Sequence, residues 1–217
     1  MAQYFSVHPT HPQQRLIAKT AEIIRAGGVI AYPTDSSYAL GCHVGDLAAV
    51  QRIRQIRGLD DRHYLTLVCR DLSEIARYAR IDDRQFRLLK RGTPGGYTFL
   101  LRATREVPRR LQHPKRSVIG IRVPDHPVAL ALLAELNEPL LSSTLILPGE
   151  TEPLHEPEAI REALEHALDA IVDGGVCAGG ATTVIDLAGE DPALVRLGRG
   201  DPAALGLQGL EKPDLLE

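Results

Sequence analysis

The stretch "IAYPTDSSYALGC", residues 30–42, decides how this chain folds. A short apolar run, Val29 to Tyr32, stops at Pro33. Four small polar residues follow, Thr34, Asp35, Ser36 and Ser37, and then Tyr38 and "ALG". The apolar run reads as a short buried strand closed by a breaker. Serine, threonine and aspartate after a strand make a capped turn. They also offer hydroxyls and backbone N–H groups to the oxygens of a phosphate, carboxylate or ribose. Which use prevails depends on what the rest of the chain brings to the same place.

Working outward, strands and helices alternate. Gln13 to Ala26 places Leu16, Ile17, Ala21 and Ile24 on one helical face, and Gly27-Gly28 stops it. Asp46 caps a second helix carrying Leu47, Val50, Ile53 and Ile56. "YLTLVC" (64–69) is β-prone. Asp71 and Asp82 open helices to about Arg80 and Arg91, and "GTPGG" (92–96) is a turn. "YTFLLRA" (97–103) and "VIGIRVP" (118–124) are strands, and Pro127 starts a helix to Leu136. "PLLSSTLIL" (139–147) is apolar with hydroxyls inserted. Residues 147–158 form a long exposed loop. Ile160, Leu164, Leu168 and Ile171 mark a late helix, and "TTVIDL" (182–187) with "ALVRLG" (193–198) a final strand pair. The expected fold is α/β: one domain over residues 1–217, a twisted mixed sheet with helices packed around it. Tyr38, Leu40 and Gly41 are expected to be packing and turn residues, and Cys42 a small core residue.

Composition narrows the function. With 217 residues the chain suits one substantial domain. No stretch approaches 18 consecutive apolar residues, and the N-terminus lacks a signal-peptide pattern, so a cytoplasmic protein without a membrane span is expected. Cys42, Cys69 and Cys177 are scattered, which argues against a disulfide framework or a zinc site. His8 and His11 lack companion ligands, so no metal site is expected. The net charge of −3 hides an asymmetry: residues 1–122 hold 21 Lys/Arg against 10 Asp/Glu, and residues 123–217 hold 4 against 18. Such a split suits a basic face for an anionic partner, or charge pairing between the two parts.

"GTPGGYT" lacks the G-K-[ST] ending of a P-loop, no G-x-G-x-x-G follows the first strand, and no G-x-S-x-G elbow surrounds Ser36 or Ser37. What recurs is hydroxyls at strand ends: Thr34, Ser36 and Ser37; Thr98; Ser117; Ser142, Ser143 and Thr144; Thr182 and Thr183. Arg57, Arg122 and Arg196 lie in or beside these segments, and arginine adds a charged planar fork for anions. Gathered on one side of a sheet, these groups make an anion-binding cleft.

"PTDSSYALG" resembles the "PTETVYGLG"-type signature of the YrdC/YciO family, whose better-known members make L-threonylcarbamoyl-adenylate from threonine, bicarbonate and ATP, for the threonylcarbamoyl modification of tRNA. "PGGYTFLL" (94–101) resembles the family's "PGPYTFVL", and "SVIGIRVPDHP" (117–127) its "SVTVRVPDHP". "PLLSSTLILPG" (139–149) is similar to "PLVSTSANLSG", and "TTVIDL" with "LVRLG" to "STVVDL" with "ILRPG". The resemblance implies a YrdC-like fold with an open basic cleft, ATP with Mg²⁺ as cofactor if the chain is a synthase, and double-stranded RNA or tRNA as partners. The departures are specific. Where the synthases carry K-x-R-P, this chain has Arg57, Leu59 and Asp60, and the histidine usual after "PL" falls on Val68. In the S-x-N motif, serine maps to Thr144 and asparagine to Ile146, which offers no amide. Each lost charge-assisted hydrogen bond removes roughly 1.5–3 kcal/mol. Arg62 and His63 are candidate substitutes.

The expected site therefore takes Thr34, Ser36, Arg62, His63, Thr98, Ser117, Ser142, Thr144, Thr182 and Arg196 for binding, and Arg57, Arg122 and Asp35 for catalysis. The pattern suits the YciO branch: a nucleotide- or RNA-binding protein diverged from the synthase. The alternatives are an active synthase, and a cleft turned to hydrolysis of an anionic substrate with Asp35 as general base.

Overall fold

The computed structural model describes residues 1–60, 63–113 and 115–209. Ten strands form one mixed sheet: β1 (Gln3–Ser6), β2 (Ile30–Pro33), β3 (Tyr38–His43), β4 (Thr66–Val68), β5 (Tyr97–Arg102), β6 (Val118–Arg122), β7 (Leu140–Thr144), β8 (Ala170–Asp173), β9 (Thr183–Asp186) and β10 (Ala193–Arg196). Their order is β1-β8-β2-β3-β7-β4-β6-β5-β9-β10. The expected α/β class and mixed sheet are as found.

Six α-helices cover the faces: α1 (Gln14–Arg25), α2 (Leu47–Arg57), α3 (Leu72–Tyr78), α4 (Asp83–Gly92), α5 (Pro127–Leu136) and α6 (Pro157–Leu164). The caps follow from the sequence. Asp46 and Asp71 each accept from a backbone N–H in the first turn of α2 and α3, and Asp82 closes a reciprocal box with Gln85 on α4. Gly58 ends α2 in the left-handed region at φ 63°.

The two faces of the sheet are covered unequally. On one face, α2, α3, α4 and α6 bury a continuous core with Leu40, Leu67, Phe99, Leu101, Ile121 and Leu141. On the other, α1 and α5 pack over one side only, against Ile30, Tyr32, Leu140, Ala170 and Val172. A small cluster of Leu100, Val118 and Ala188, with Tyr64 and Val184 against it, sits farther along that face. Between the two clusters, part of the sheet is left without a helix.

Two sequence expectations change. The segment after Ser37 is a strand: β3 runs antiparallel between β2 and β7, buried along nearly its whole length. Gly41 lies inside it and is not a turn residue; a Cβ there would fall 2.5 Å from Leu140 Cδ2. The late helix stops at Leu164, and Ile171 belongs to β8. One more turn, closed by Leu168 N–H on the Leu164 carbonyl, extends the helical spacing. Asp169 then accepts from Val29 N–H at 2.7 Å and leads the chain into a parallel strand beside β1 and β2.

Candidate functional site

The uncovered part of the sheet is built by register. Tyr32 faces Ala39, which faces Thr144. In the next row Gly41, Ser142, Thr66 and Gly120 are successive neighbours, and beyond them Leu140, Val68 and Arg122. Strand alternation puts these residues, with Thr98, on the same face. In the middle row Gly41 lies beneath Tyr32 and Leu140, and Gly120 gives room to Thr66 and Thr98. A Cβ on Gly120 would meet Thr66 Oγ1 at 2.9 Å and the Leu65 carbonyl at 3.0 Å. The result is an open cleft of about 320 Å³ including its open mouth, lined by Thr34, Thr98, Arg122, Ser142, Thr144 and Thr182, among others. The hydroxyls thus converge on a sheet face and not simply at strand ends.

Arg122 is the charged centre. It is buried, with its side chain 7% exposed, and donates from Nη2 to Asp35 Oδ1 at 2.6 Å. Asp125 N–H donates to the same oxygen at 3.1 Å. Among the described residues, Arg122 Nε is buried without a hydrogen-bond partner. A desolvated guanidinium N–H left unmatched is costly unless a ligand completes it. Asp35, expected as a possible general base, has Oδ1 committed to two donors; that geometry suits a carboxylate orienting Arg122.

The hydroxyls are wired together. Thr34 Oγ1 donates to the Ser37 carbonyl at 2.6 Å and accepts from Ser36 N–H at 3.2 Å, and its hydroxyl lies 3.1 Å from that of Ser36. Ser36 is buried behind Thr34 as its support. Ser142 Oγ donates to the Leu40 carbonyl at 2.8 Å and lies 2.9 Å from Tyr32 OH. Burial pushes Tyr32 up to about 12, so it stays a neutral hydrogen-bonding phenol. Thr98 and Thr182 hydroxyls are 2.9 Å apart, and Arg196 Nη2 donates to Thr182 Oγ1 at 3.2 Å.

A second cationic group stands at the rim. Arg57 donates to Ser143 Oγ at 3.3 Å and to the Ile146 carbonyl at 2.5 Å. Burial, then the charge of Arg196, pushes Arg57 down to about 10. Burial, then Arg122, lowers Arg196 in turn. His63 is exposed as a residue, yet desolvation of its ring, then the charges of Arg57, Arg196 and Arg54, push it down to about 4. At neutral pH these guanidiniums remain charged and His63 is neutral.

Arg57, His63, Arg122, Arg196 and the hydroxyls of Thr34, Thr98, Ser142, Thr144 and Thr182 are therefore brought together. Ser117 is not: it precedes β6, at the opposite end of the strand from Arg122, and lines a different groove. Arg62 lies outside the described residues. Tyr32 and Thr66 also line the cleft, beyond the residues expected from the sequence. Thr66 carries a signal, since Tyr64, Thr66 and Val68 alternate onto one face of "YLTLVC". Among the described residues no group of three metal-ligating side chains occurs, and no helix is long and apolar enough to cross a membrane.

Known proteins match this architecture. The Sua5/YciO/YrdC family model, described as "Telomere recombination", matches residues 22–198. An uncharacterised protein, YciO of Escherichia coli, is 53% identical over 93% of this chain and 98% of its own length. Its crystal structure superposes with a TM-score of 0.92 over 94% of this chain and all of that one, at 52% identity. The threonylcarbamoyl-AMP synthase of Bacillus subtilis is 30% identical over 84% of this chain and 53% of that protein. P. abyssi Sua5 complexed with L-threonine superposes with a TM-score of 0.88 at 26% identity, over 96% of this chain and 62% of that one. With this sheet, this hydroxyl-lined face and matches spanning most of its length, the chain belongs to the Sua5/YciO/YrdC family.

Proposed function

We propose that the cleft binds a nucleotide, alone or as part of a structured RNA, and that its chemistry has diverged from threonylcarbamoyl-AMP synthesis. The observation that carries this reading is Arg122, buried, aligned by Asp35, and holding an unmatched Nε in a hydroxyl-lined cleft. Phosphate oxygens are the natural complement of such a fork. Arg196 and Arg57 extend the positive charge from the floor to the rim, and Thr34, Thr98, Ser142 and Thr182 suit ribose or phosphate oxygens.

The donor set fits ATP. When bound with Mg²⁺, ATP would supply the activated phosphate for adenylation. Arg122, Arg196 and Arg57 would hold its phosphates, and Mg²⁺ would be carried chiefly by the phosphate oxygens, as that ion prefers. The divergence rests on the other wall. Leu59, Val68 and Ile146 stand where the resembling synthases place arginine, histidine and asparagine. Arg57 spends one N–H on the Ile146 carbonyl. The reaction relies on orienting its reactants, so these losses fall on rate more than on nucleotide binding. The hydrolase reading is weaker, because Asp35 Oδ1 is already engaged by Arg122 and Asp125.

The test is pyrophosphate release from ATP, L-threonine and bicarbonate, beside an equal amount of the B. subtilis synthase. The expected rate is lower by orders of magnitude, with ATP binding retained. A comparable rate would establish a working synthase and overturn the divergence.

A further inference from the structure

The chain between β7 and α6 is tied down at its base and at one point along its length. Leu145 N–H donates to the Tyr38 carbonyl at 3.0 Å, Tyr38 N–H donates to the Leu154 carbonyl at 3.0 Å, and Leu154 N–H donates to the Leu145 carbonyl at 2.8 Å. Residues 145–154 therefore form a strap with both ends fixed beside Tyr38. Its tip is a Pro148-Gly149 turn, closed by Glu150 N–H on the Leu147 carbonyl at 3.0 Å, with Gly149 at φ 84°. Proline followed by a residue of positive φ is the pattern of a type II turn. Pro148 comes close to the end of α2: a Cβ on Gly58 would fall 3.4 Å from its ring.

Arg57 supplies the point along the length. Its Nη1 donates to the Ile146 carbonyl, and its Nε to Ser143 Oγ at 3.3 Å. Among the described residues, no other side chain hydrogen-bonds to residues 146–153. Both acceptors are neutral, so the guanidinium keeps its charge. Arg196 is held in the same manner, with Nε on the Thr182 carbonyl at 3.1 Å and Nη2 on Thr182 Oγ1 at 3.2 Å. Among the described residues, neither arginine has a carboxylate partner. They stand close enough for the charge of Arg196 to act on Arg57. Two like charges repel, and the Ile146 carbonyl helps to hold Arg57 in place against that repulsion. An anion between them reverses the balance, because a bond between two charged groups is stronger than one to a neutral carbonyl.

We propose that Arg57 is a latch with two positions: on the Ile146 carbonyl it holds the strap, and on an anion shared with Arg196 it releases it, so that nucleotide binding loosens the strap. This rests on the cleft taking a nucleotide's phosphates. The ligand shifts the balance by its differential affinity, since it gains the second guanidinium only when the latch is open. The coupling is reciprocal: loosening the strap by other means frees Arg57 and tightens binding. Gly149 offers such a means. Nothing lies within 4 Å of where its Cβ would stand, so alanine adds no clash there and acts only through the strain of a positive φ.

The test uses the full chain with ATP as the probe. Binding is read by calorimetry, and strap motion by amide hydrogen exchange across residues 145–154. Exchange there is expected to be several-fold faster with ATP bound, against the protection that ligand binding ordinarily gives. Gly149→Ala is expected to bind ATP about fivefold more tightly than the wild type. Placed on Arg57→Gln, the same change is expected to add nothing to affinity, and strap exchange in both Gln variants to be fast already and indifferent to ATP. Strap exchange that is unchanged or slower with ATP bound to the wild type would overturn the proposal and leave the cleft reading intact. So would equal or weaker ATP binding by Gly149→Ala. Failure of the wild-type chain to bind ATP would remove the cleft reading, and the latch with it.

Discussion

Arg122 and Asp35 are counter-ions where little water reaches: their side chains are 7% and 15% exposed. Replacing Arg122 by Ala strands the carboxylate, and breaking such a pair costs about 3–5 kcal/mol. We predict a clear drop in the urea midpoint, together with loss of nucleotide binding. Asp35→Asn keeps an acceptor for Asp125 N–H but loses the charge that orients Arg122. Its expected effect is weaker nucleotide binding with the fold retained, read by calorimetry and circular dichroism. His63 supplies a pH signature. Its pKa is depressed from 6.5 to about 4 in the folded state. Between those values the unfolded chain binds a proton that the folded chain does not, so stability falls as pH drops from about 6.5 to about 4. The partial exposure of the residue keeps this contribution small. His63→Gln should flatten the stability profile in that window, measured by chemical denaturation. A bound anion beside His63 should raise its pKa, so nucleotide binding should tighten as pH falls through the same range.

The elements were legible where one signal dominated. Aspartate caps fixed the starts of α2, α3 and α4, and Pro127 that of α5. Replacing Asp82 by Ala removes a cap whose loss costs about 1 kcal/mol, and thermal melting should show a modest fall in Tm with nucleotide binding unaffected. β3 was not legible, because a strand buried along nearly its whole length and broken by glycine loses its alternation. The glycines have a purpose visible only in register. Gly41 and Gly120 sit in one row across the sheet, and they give room to Tyr32, Thr66 and Thr98, which line the cleft. Gly120→Ala pushes a methyl into Thr66 and the Leu65 carbonyl. Overpacking of this kind costs roughly 1–3 kcal/mol, and displacement of Thr66 and Thr98 should also weaken ligand binding; denaturation and titration of the same variant check both.

At the scale of the whole molecule, the split of charge along the chain has two outcomes. Part is internal pairing: Arg52 with Asp169, Arg84 with Asp191 and Arg116 with Asp186 join the basic first part to the acidic second. Another part gathers at the cleft, where Arg57 and Arg122 of the first part stand with Arg196 of the second. The sequence segments predicted that Thr34, Thr98, Ser142, Thr144, Thr182, Arg122 and Arg196 would meet, and they do. That the meeting place is a sheet face, that Asp35 is spent on Arg122, and that Ser117 lies elsewhere depended on strand register, which no local pattern encodes. The most direct measurement is calorimetric titration of ATP into the wild-type chain and into Arg122→Gln, which keeps much of the side chain's bulk and polarity without its charge. Binding by the wild type is expected, with a loss of about tenfold or more in the variant, the worth of one charge-assisted hydrogen bond at roughly 1.5–3 kcal/mol. Equal affinities would contradict it, because the buried guanidinium would then have no part in holding the nucleotide.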